Sequence, residues 1–164
     1  MIRDIETRDI AAIVEIYNHY IRNTIISFEE KEIDIAEISS RIKKVKSAGL
    51  WWLVAEERNQ VVGYAYASTW NARSAYRNTV EVSVYLDCSA TGKGYGSQLY
   101  SELFRRLESR SIHVVIGGIS LPNLESIKLH EKFGMRQVAH IKEVGYKFGR
   151  WIDVGYWQVK LNQH

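Results

Sequence analysis

The chain has 164 residues, 46% of them hydrophobic, and carries a net charge of +3. We therefore expect one domain over residues 1–164 with a sizeable core, and the small charge does not indicate a nucleic-acid partner. No apolar run is long enough to predict a membrane span, and the first residues lack the apolar core of a signal peptide. The single cysteine, Cys88, excludes internal disulfides and favours a cytoplasmic protein.

The first third of the chain predicts two helices followed by a β-hairpin. Asp9 is the predicted N-cap of the first helix, Asp34 that of the second, and Gly49 its terminator. The basic cluster at 41–46 is interpreted as the solvated face of the second helix. The predicted elements are a strand over 2–5, helices over 10–22 and 34–49, and strands over 51–57 and 61–68.

A strand with one carboxylate then leads into a glycine-rich loop. Residues 80–86 read VEVSVYL and predict a strand that carries Glu81. Glycines follow at 92, 94 and 96, just before a helix whose apolar face includes Leu99, Leu103 and Leu107. Because glycine lets the backbone approach a ligand and a helix N-terminus favours negative charge, we expect this loop to bind a phosphate.

Other interpretations of the loop are weaker or less informative. The only Gly-Lys pair, Gly92-Lys93, is followed by Gly94, whereas a P-loop requires Ser or Thr there. A dinucleotide fingerprint requires an acidic residue at the end of the next strand, and residues 113–119 contain none. A simple turn without a ligand remains the alternative for such a short motif.

The last third predicts a strand, a helix and two long strands. The helix begins after the cap Asn123, ends at Gly134 and carries His130. Taken alone, His130 and Glu81 are each more often ordinary surface residues than catalysts. The predicted strands are 113–119, 137–147 and 153–161, and the element order indicates a mixed α/β sheet with helices on both faces.

Two segments together resemble the GNAT superfamily of N-acetyltransferases. The loop Thr91-Gly92-Lys93-Gly94-Tyr95-Gly96 resembles its acetyl-CoA signature Q/R-x-x-G-x-G/A, and residues 123–134 resemble its N-x-x-S-x-x-L-Y/H-E-K-x-G element. Thr91 departs from the Q/R position, Met135 stands where Phe is usual, and Cys88 where proline is frequent. Further stretches are similar to the phosphinothricin-type amino-acid acetyltransferases, namely residues 16–19, 27–29, 76–81, 83–85 and 147–153.

The resemblance implies a fold, a reaction and an assembly. The implied fold is a mostly antiparallel mixed sheet with a splayed strand pair and helices on both faces. The implied reaction is direct transfer from acetyl-CoA, in a ternary complex, to the α-amino group of a small amino acid such as phosphinothricin, methionine sulfoximine or methionine sulfone. No metal takes part. The segment 147–151 resembles one that reaches the neighbouring subunit's site, which implies a homodimer.

The resemblance also implies the site residues. Glu81 is the predicted base that takes a proton from the amine through a water, and His130 the predicted acid that protonates the leaving thiolate. A backbone N–H of the strand at 84–86 is expected to bind the oxyanion. The predicted acetyl-CoA ligands are Val84, Tyr85, Leu86, Gly92, Lys93, Gly94, Tyr95, Gly96, Ser97, Asn123 and Lys132. The predicted amino-acid ligands are Phe28, Glu29, Arg73, Tyr76 and Arg77.

Three alternatives stay open at this point. The acceptor could be another amine, such as a protein N-terminus or a polyamine, although Arg73 and Arg77 argue against a polyamine. The chain could be a sensor that binds acyl-CoA without catalysis. A mechanism through an acetylated Cys88 is the rival pathway, but no histidine lies near Cys88 in the sequence, so this residue is interpreted as structural.

Overall fold

A computed structural model describes residues 1–161, in which one sheet is flanked by helices. The helices are α1 (Ile10–Asn23), α2 (Ile35–Ser47), α3 (Tyr95–Glu108) and α4 (Leu124–Lys132). The strands are β1 (Ile2–Asp4), β2 (Trp52–Glu57), β3 (Gln60–Thr69), β4 (Thr79–Leu86), β5 (Val114–Ser120), β6 (Arg136–Lys147) and β7 (Arg150–Lys160). Short 3-10 turns lie at Thr7–Asp9, Ser74–Tyr76 and Cys88–Ala90.

The strand order β1-β2-β3-β4-β5-β7-β6 confirms the predicted mixed sheet. Each neighbouring pair is antiparallel except β4 and β5, which run parallel. The parallel pairing ends early: the last partners are Glu81 and Ile116. Beyond them β4 remains paired only with β3, and β5 only with β7. The two strands therefore splay apart in the middle of the sheet, as the resemblance implied.

The helices lie on opposite faces of this sheet. Tyr17 and Tyr20 of α1 pack edge-on against Tyr85 of β4, at ring-centroid distances of 5.2 Å each. His130 of α4 lies against Gly117 of β5. Because side chains alternate along a strand, we name the side of Tyr85 and Glu81 the α1 face and the opposite side, where α3 and α4 pack, the α4 face.

Most of the predicted helix ends are confirmed. Asp34 accepts a hydrogen bond from the Glu37 N–H at 2.8 Å, and Asn123 accepts one from the Ser126 N–H at 3.1 Å. Gly49 and Gly134 end their helices with φ of +70° and +79°. Asp9 is the N-cap residue of α1, as predicted, but its side chain does not cap that helix. Its carboxylate instead binds the Arg3 guanidinium, at 2.8 Å from two nitrogens, and the Glu6 N–H.

The β6–β7 hairpin differs from prediction at its tip and along β6. Strand β7 begins at Arg150, not 153, because Phe148 and Gly149 form a two-residue turn with positive φ that brings Lys147 opposite Arg150. Strand β6 bulges between Ile141 and Gly145. The Asp153 carboxylate accepts the Glu143 N–H at 2.8 Å and pairs with His140 at 2.7 Å, which fixes the bulge.

Candidate active site

A small cavity opens where β4 and β5 separate. Its volume is about 50 Å³, and it is lined by both strands, the start of α4 and α3. Lining residues come from both faces of the sheet. They include Ser83 and Tyr85 on the α1 face and Tyr100, Asn123 and His130 on the α4 face. The gap therefore joins two surfaces that an intact sheet would keep apart.

The edge of β4 that borders this gap has free backbone groups. The Asp87 N–H donates to the Val62 carbonyl at 2.8 Å. Because backbone direction alternates along a strand, the N–H and C=O groups of Tyr85 and Ser83 also point toward β3. The backbone of Val82 consequently points toward β5, where the pairing ends, and that of Val84 and Leu86 points into the gap. The Leu86 carbonyl accepts the Tyr20 hydroxyl at 2.6 Å, which leaves Val84 with both backbone groups available to a ligand.

Glu81 is the last residue of β4 that pairs with β5 before the two strands diverge. Its carboxylate approaches Gly118 of β5, where an added Cβ would lie 3.4 Å from Oε1. Burial raises the pKa of Glu81 above its ordinary value, and no hydrogen bond or cation within residues 1–161 offsets this effect. A carboxylate that is partly desolvated and unpaired is suited to accepting a proton near neutral pH.

His130 lies on the other side of β5 and is almost fully buried, at 4% exposure. Its Nδ1 lies 2.7 Å from the Ser126 carbonyl oxygen, so Nδ1 carries the ring proton and donates it there. Its Nε2 therefore accepts the Tyr100 hydroxyl, at 3.1 Å. Burial lowers the pKa of His130, so the ring is neutral at pH 7. A neutral ring with both nitrogens engaged favours positioning over the predicted role as an acid.

The glycine-rich loop has the open geometry of an anion site. Gly92 and Gly94 have φ of +75° and +86°, and Gly94 is the N-cap of α3 without any side-chain cap. A Cβ at Gly92 would meet nothing within 4 Å, so a ligand has room there. The N–H groups of the first turn of α3 have no partner within the helix. Gly96 differs: it is buried, and an added Cβ would lie 3.3 Å from Leu129, so it serves helix packing.

The remaining predicted cofactor residues surround this loop. Lys132 donates to the Ser97 hydroxyl at 3.0 Å, which places its charge at the start of α3, while Lys93 is exposed. Tyr95 is the first residue of α3. Thr91, which stands where the family signature has Gln or Arg, donates a hydrogen bond to the nearby Cys88 carbonyl at 3.1 Å. The Asn123 oxygen caps α4, and its residue lines the gap.

A larger cavity of about 700 Å³ lies on the α1 face, between α2 and the end of β3. Ser68, in its wall, pairs directly with Glu81. Trp70, also in its wall, packs edge-on against Tyr156, whose ring adjoins Gly118 beside Glu81. The sequence analysis missed these residues because sheet register, not local sequence, brings them together. The wall also contains Lys44, Trp52 and Tyr66.

The predicted amino-acid ligands do not all meet at this cavity. Phe28 packs against Gly145 of β6 and is 40% exposed. Glu29 is engaged: Arg41 binds both of its oxygens, at 2.6 and 2.9 Å, and Tyr17 donates to one of them. Hydrogen bonds from Arg41 accordingly hold the pKa of Glu29 below its ordinary value, and Arg41 is not the solvated residue that the basic cluster predicted.

The three predicted residues of the β3–β4 loop are exposed. Arg73 follows Ala72 of the cavity wall. Tyr76 is 41% exposed. Arg77 donates to the Ser74 carbonyl at 3.1 Å and lines a separate depression with Arg110. Neither Arg73 nor Arg77 is therefore among the residues that line the cavity next to Glu81.

Cys88 is exposed at the turn after β4. The histidine of the gap, His130, is bonded to Ser126 and Tyr100, so it does not activate this thiol. Within residues 1–161 no group of three His, Cys, Asp or Glu residues is placed to hold a metal ion. The same residues include no helix with the length and apolar character needed to cross a bilayer.

Comparison with known proteins assigns the arrangement to a family. The model of the acetyltransferase (GNAT) domain matches residues 2–155. A phosphinothricin N-acetyltransferase of Alcaligenes faecalis is 41% identical over 98% of this chain and 82% of the relative. An L-methionine sulfoximine/L-methionine sulfone acetyltransferase of Salmonella typhimurium is 36% identical over 99% of this chain and 95% of the relative.

A solved structure agrees with these relatives. It is a GNAT superfamily phosphinothricin acetyltransferase from Sinorhizobium meliloti in complex with AcCoA. Its TM-score to this chain is 0.95, with 37% identity over 98% of this chain and 88% of that one. The fold expected from the resemblance is thereby confirmed.

The state of His130 can be tested by NMR of the imidazole nitrogens. We expect the Nδ1–H tautomer, with a titration midpoint below about 6.5, because burial disfavours the charged ring. The signal is assigned by its loss in His130→Gln. A midpoint at or above that value, or an Nε2–H tautomer, would contradict the hydrogen bonds described here and restore His130 as an acid.

Proposed function

The chain belongs to the GNAT acetyltransferase family and is an acetyl-CoA-dependent N-acetyltransferase, and we propose that its acceptor is the α-amino group of a small amino acid. Phosphinothricin, methionine sulfoximine and methionine sulfone are the proposed acceptors, because relatives that match nearly the whole chain carry those names. The observation that carries the proposal is the gap between β4 and β5. Residues from both faces of the sheet line it; the glycine-rich loop precedes α3 on one face, and an unpaired carboxylate and an aromatic cavity lie on the other.

The residues present fit acetyl-CoA. The open edge of β4 at Val84–Leu86 has backbone groups for an extended amide-containing arm. The N–H groups at residues 92–97, with the charges of Lys93 and Lys132, suit a pyrophosphate. Asn123 borders the gap where the acetyl end would lie. When bound, acetyl-CoA would supply the reactive thioester, and these residues of the chain would orient it.

Glu81 is the proposed base. The ammonium group of an amino acid cannot attack a carbonyl carbon until a proton leaves, and Glu81 accepts it, directly or through a water. The neutral amine forms the N–C bond at the carbonyl carbon, the C–S bond breaks, and the second proton of the amine passes through solvent to the leaving thiolate. The N–H of Val84 faces the developing oxyanion. The acceptor amine reaches the gap from the α1 face and the thioester reaches it from the α4 face. The two reactants therefore meet in the opening between β4 and β5.

His130 receives a different role from the one predicted. Its ring proton is donated to the Ser126 carbonyl, and its Nε2 accepts the Tyr100 hydroxyl. We assign His130 to orienting Tyr100 in the wall of the gap and not to protonating the thiolate. The purely structural alternative considered for this residue is thus the one that its surroundings support.

Charge and aromatic surface define the proposed acceptor pocket. Lys44 in the wall supplies a cation for an acidic or oxidised side chain, and the exposed Arg73 follows Ala72 of the wall in the sequence. Tyr66 and Trp70 supply flat surface for its methylene groups. Glu29 is fully engaged by Arg41, so it supports the pocket without binding the acceptor.

We further propose a homodimer in the cytoplasm. The tip of the β6–β7 hairpin exposes several large apolar side chains, and Trp151 is 63% exposed. Strand β6 is also one of the two edge strands of the sheet, the other being β1. Such a surface is typical of a protein contact. A cytoplasmic setting suits a chain whose one cysteine, Cys88, is a free exposed thiol.

Thiol release from acetyl-CoA against a panel of amines tests the acceptor class. The panel contains the three proposed acceptors, ordinary amino acids, a polyamine and a short peptide. We expect turnover with the proposed acceptors to exceed that with the others. Turnover only with the polyamine or the peptide would overturn the acceptor and keep the family. Binding of acetyl-CoA without turnover on any amine would support the sensor alternative.

Glu81→Gln tests the base. We expect kcat/KM to fall by about 10²–10⁴-fold, because the amine would lose its proton acceptor. In the unchanged enzyme, kcat/KM should fall as pH drops through the raised pKa of Glu81, since only the ionised carboxylate accepts a proton. Glu15→Gln, which neutralises an exposed carboxylate on α1, is the control. Equal rates for the two variants would remove Glu81 from the mechanism.

Sedimentation velocity tests the dimer. We expect the unchanged protein to sediment as a dimer and Trp151→Glu to shift it toward the monomer, because a charge replaces apolar contact area. Ile35→Glu places the same charge on an exposed apolar position of α2, 54% exposed, and should leave the dimer intact. A monomer without any substitution would contradict the proposal.

A further inference from the structure

Lys147 is a buried cation that forms no ion pair with the carboxylates of residues 1–161. It is the last residue of β6, only 3% exposed, and no carboxylate among residues 1–161 lies within 4.0 Å of its Nζ. The ammonium donates instead to two carbonyl oxygens, of Thr24 at 2.8 Å and of Ser27 at 2.7 Å. Its Nζ also lies 5.0 Å from the centroid of the Phe148 ring. Burial lowers the pKa of Lys147.

Burying a charged ammonium group costs free energy, and hydrogen bonds that an apolar side chain could not make must offset this cost. The two carbonyls belong to residues 24–29, which we name the acceptor loop. The loop has no helix or strand of its own and directly follows α1. Carbonyl groups of an irregular segment need donors from elsewhere, and Lys147 is the donor that reaches from a distant part of the chain.

The β6–β7 hairpin holds the acceptor loop at a second point. The Phe28 ring lies against Gly145, where an added Cβ would overlap it. The far end of the loop is held from α1 and α2. The Ser27 hydroxyl bonds to Tyr17 at 3.0 Å, and Glu29 is bound by Arg41. Lys147 and Gly145 are thus the contacts that tie the loop to the hairpin.

The loop position matters because the loop forms part of the active-site wall. Ile26 lines the gap between β4 and β5, together with Val84 and His130. Ile26 lies between the two residues whose carbonyls accept from Lys147. A shift of the loop would therefore move a wall of the gap on the acceptor side, while the glycine-rich loop on the α4 face would remain in place.

We propose that Lys147 is a positioning residue for the acceptor: its ammonium, bonded to Thr24 and Ser27, fixes the acceptor loop in the shape that receives the amine. This inference rests on the proposed function for its kinetic consequence, although the fixation of the loop does not. The hairpin that carries the exposed apolar tip thereby also shapes the acceptor site of its own subunit.

The test compares Lys147→Met with Lys142→Met. Methionine keeps the length of the side chain and removes the ammonium, and Lys142 is an exposed lysine of the same strand. Amide hydrogen exchange is measured first, without any substrate. We expect faster exchange of the Ile26 and Glu29 amides, which are hydrogen-bonded within the loop, in Lys147→Met only.

Kinetics on the best acceptor of the panel follow. We expect Lys147→Met to raise the KM of the acceptor about tenfold and to leave the KM of acetyl-CoA within about twofold, a division that general loss of folding would not produce. Unchanged exchange and unchanged acceptor KM, or equal increases in both KM values, would overturn the proposal. Faster loop exchange in a protein that acetylates no amine would support the fixation and overturn only the proposed function.

If Lys147→Met does not fold, Lys147→Gln decides. It keeps a polar group at the buried position but removes the charge and shortens the reach to the Thr24 and Ser27 carbonyls. The same division between the two KM values is expected, and its absence would overturn the proposal.

Discussion

The early end of the β4–β5 pairing is the constraint on which the site depends. Parallel strands that pair along their whole length would bury the backbone of Val84 and close the sheet. Here the pairing stops at Glu81 and Ile116, and the strands separate immediately beyond. The separation does three things at once. It frees a strand edge, it leaves Glu81 at the margin of the opening, and it lets groups from both faces of the sheet approach one point.

Local signals in the sequence predicted those parts of the site that depend on the chain nearby. The glycine-rich loop, the Asn123 cap and the strand with Glu81 each carry their own pattern, and the structure has them where they were expected. The parts that were missed depend on register or packing. Ser68 and Trp70 reach Glu81 through the β3–β4 pairing and the Tyr156 ring, and Arg41 reaches Glu29 across the interface of α1 and α2. No pattern within one segment contains that information.

The assignment of His130 shows a second limit. Its position on α4 was predictable from the motif, but its protonation state depends on a carbonyl four residues earlier and on a hydroxyl of another helix. A histidine can donate or accept according to such neighbours, so residue type and spacing do not decide its role. Arg77 is a comparable case, since a loop of exposed polar residues does not determine whether its arginines reach the pocket.

The bulge in β6 has a consequence for association. A long edge strand with exposed apolar side chains is a template on which further strands can add, and unlimited addition leads to fibrous aggregates. The bulge between Ile141 and Gly145 interrupts the regular row of backbone donors and acceptors along that edge, and Asp153 holds it in shape. The hairpin can therefore contact a partner through its apolar side chains, while the bulge prevents a continuous ladder of backbone hydrogen bonds along β6. The irregularity therefore works against open-ended strand addition at this edge.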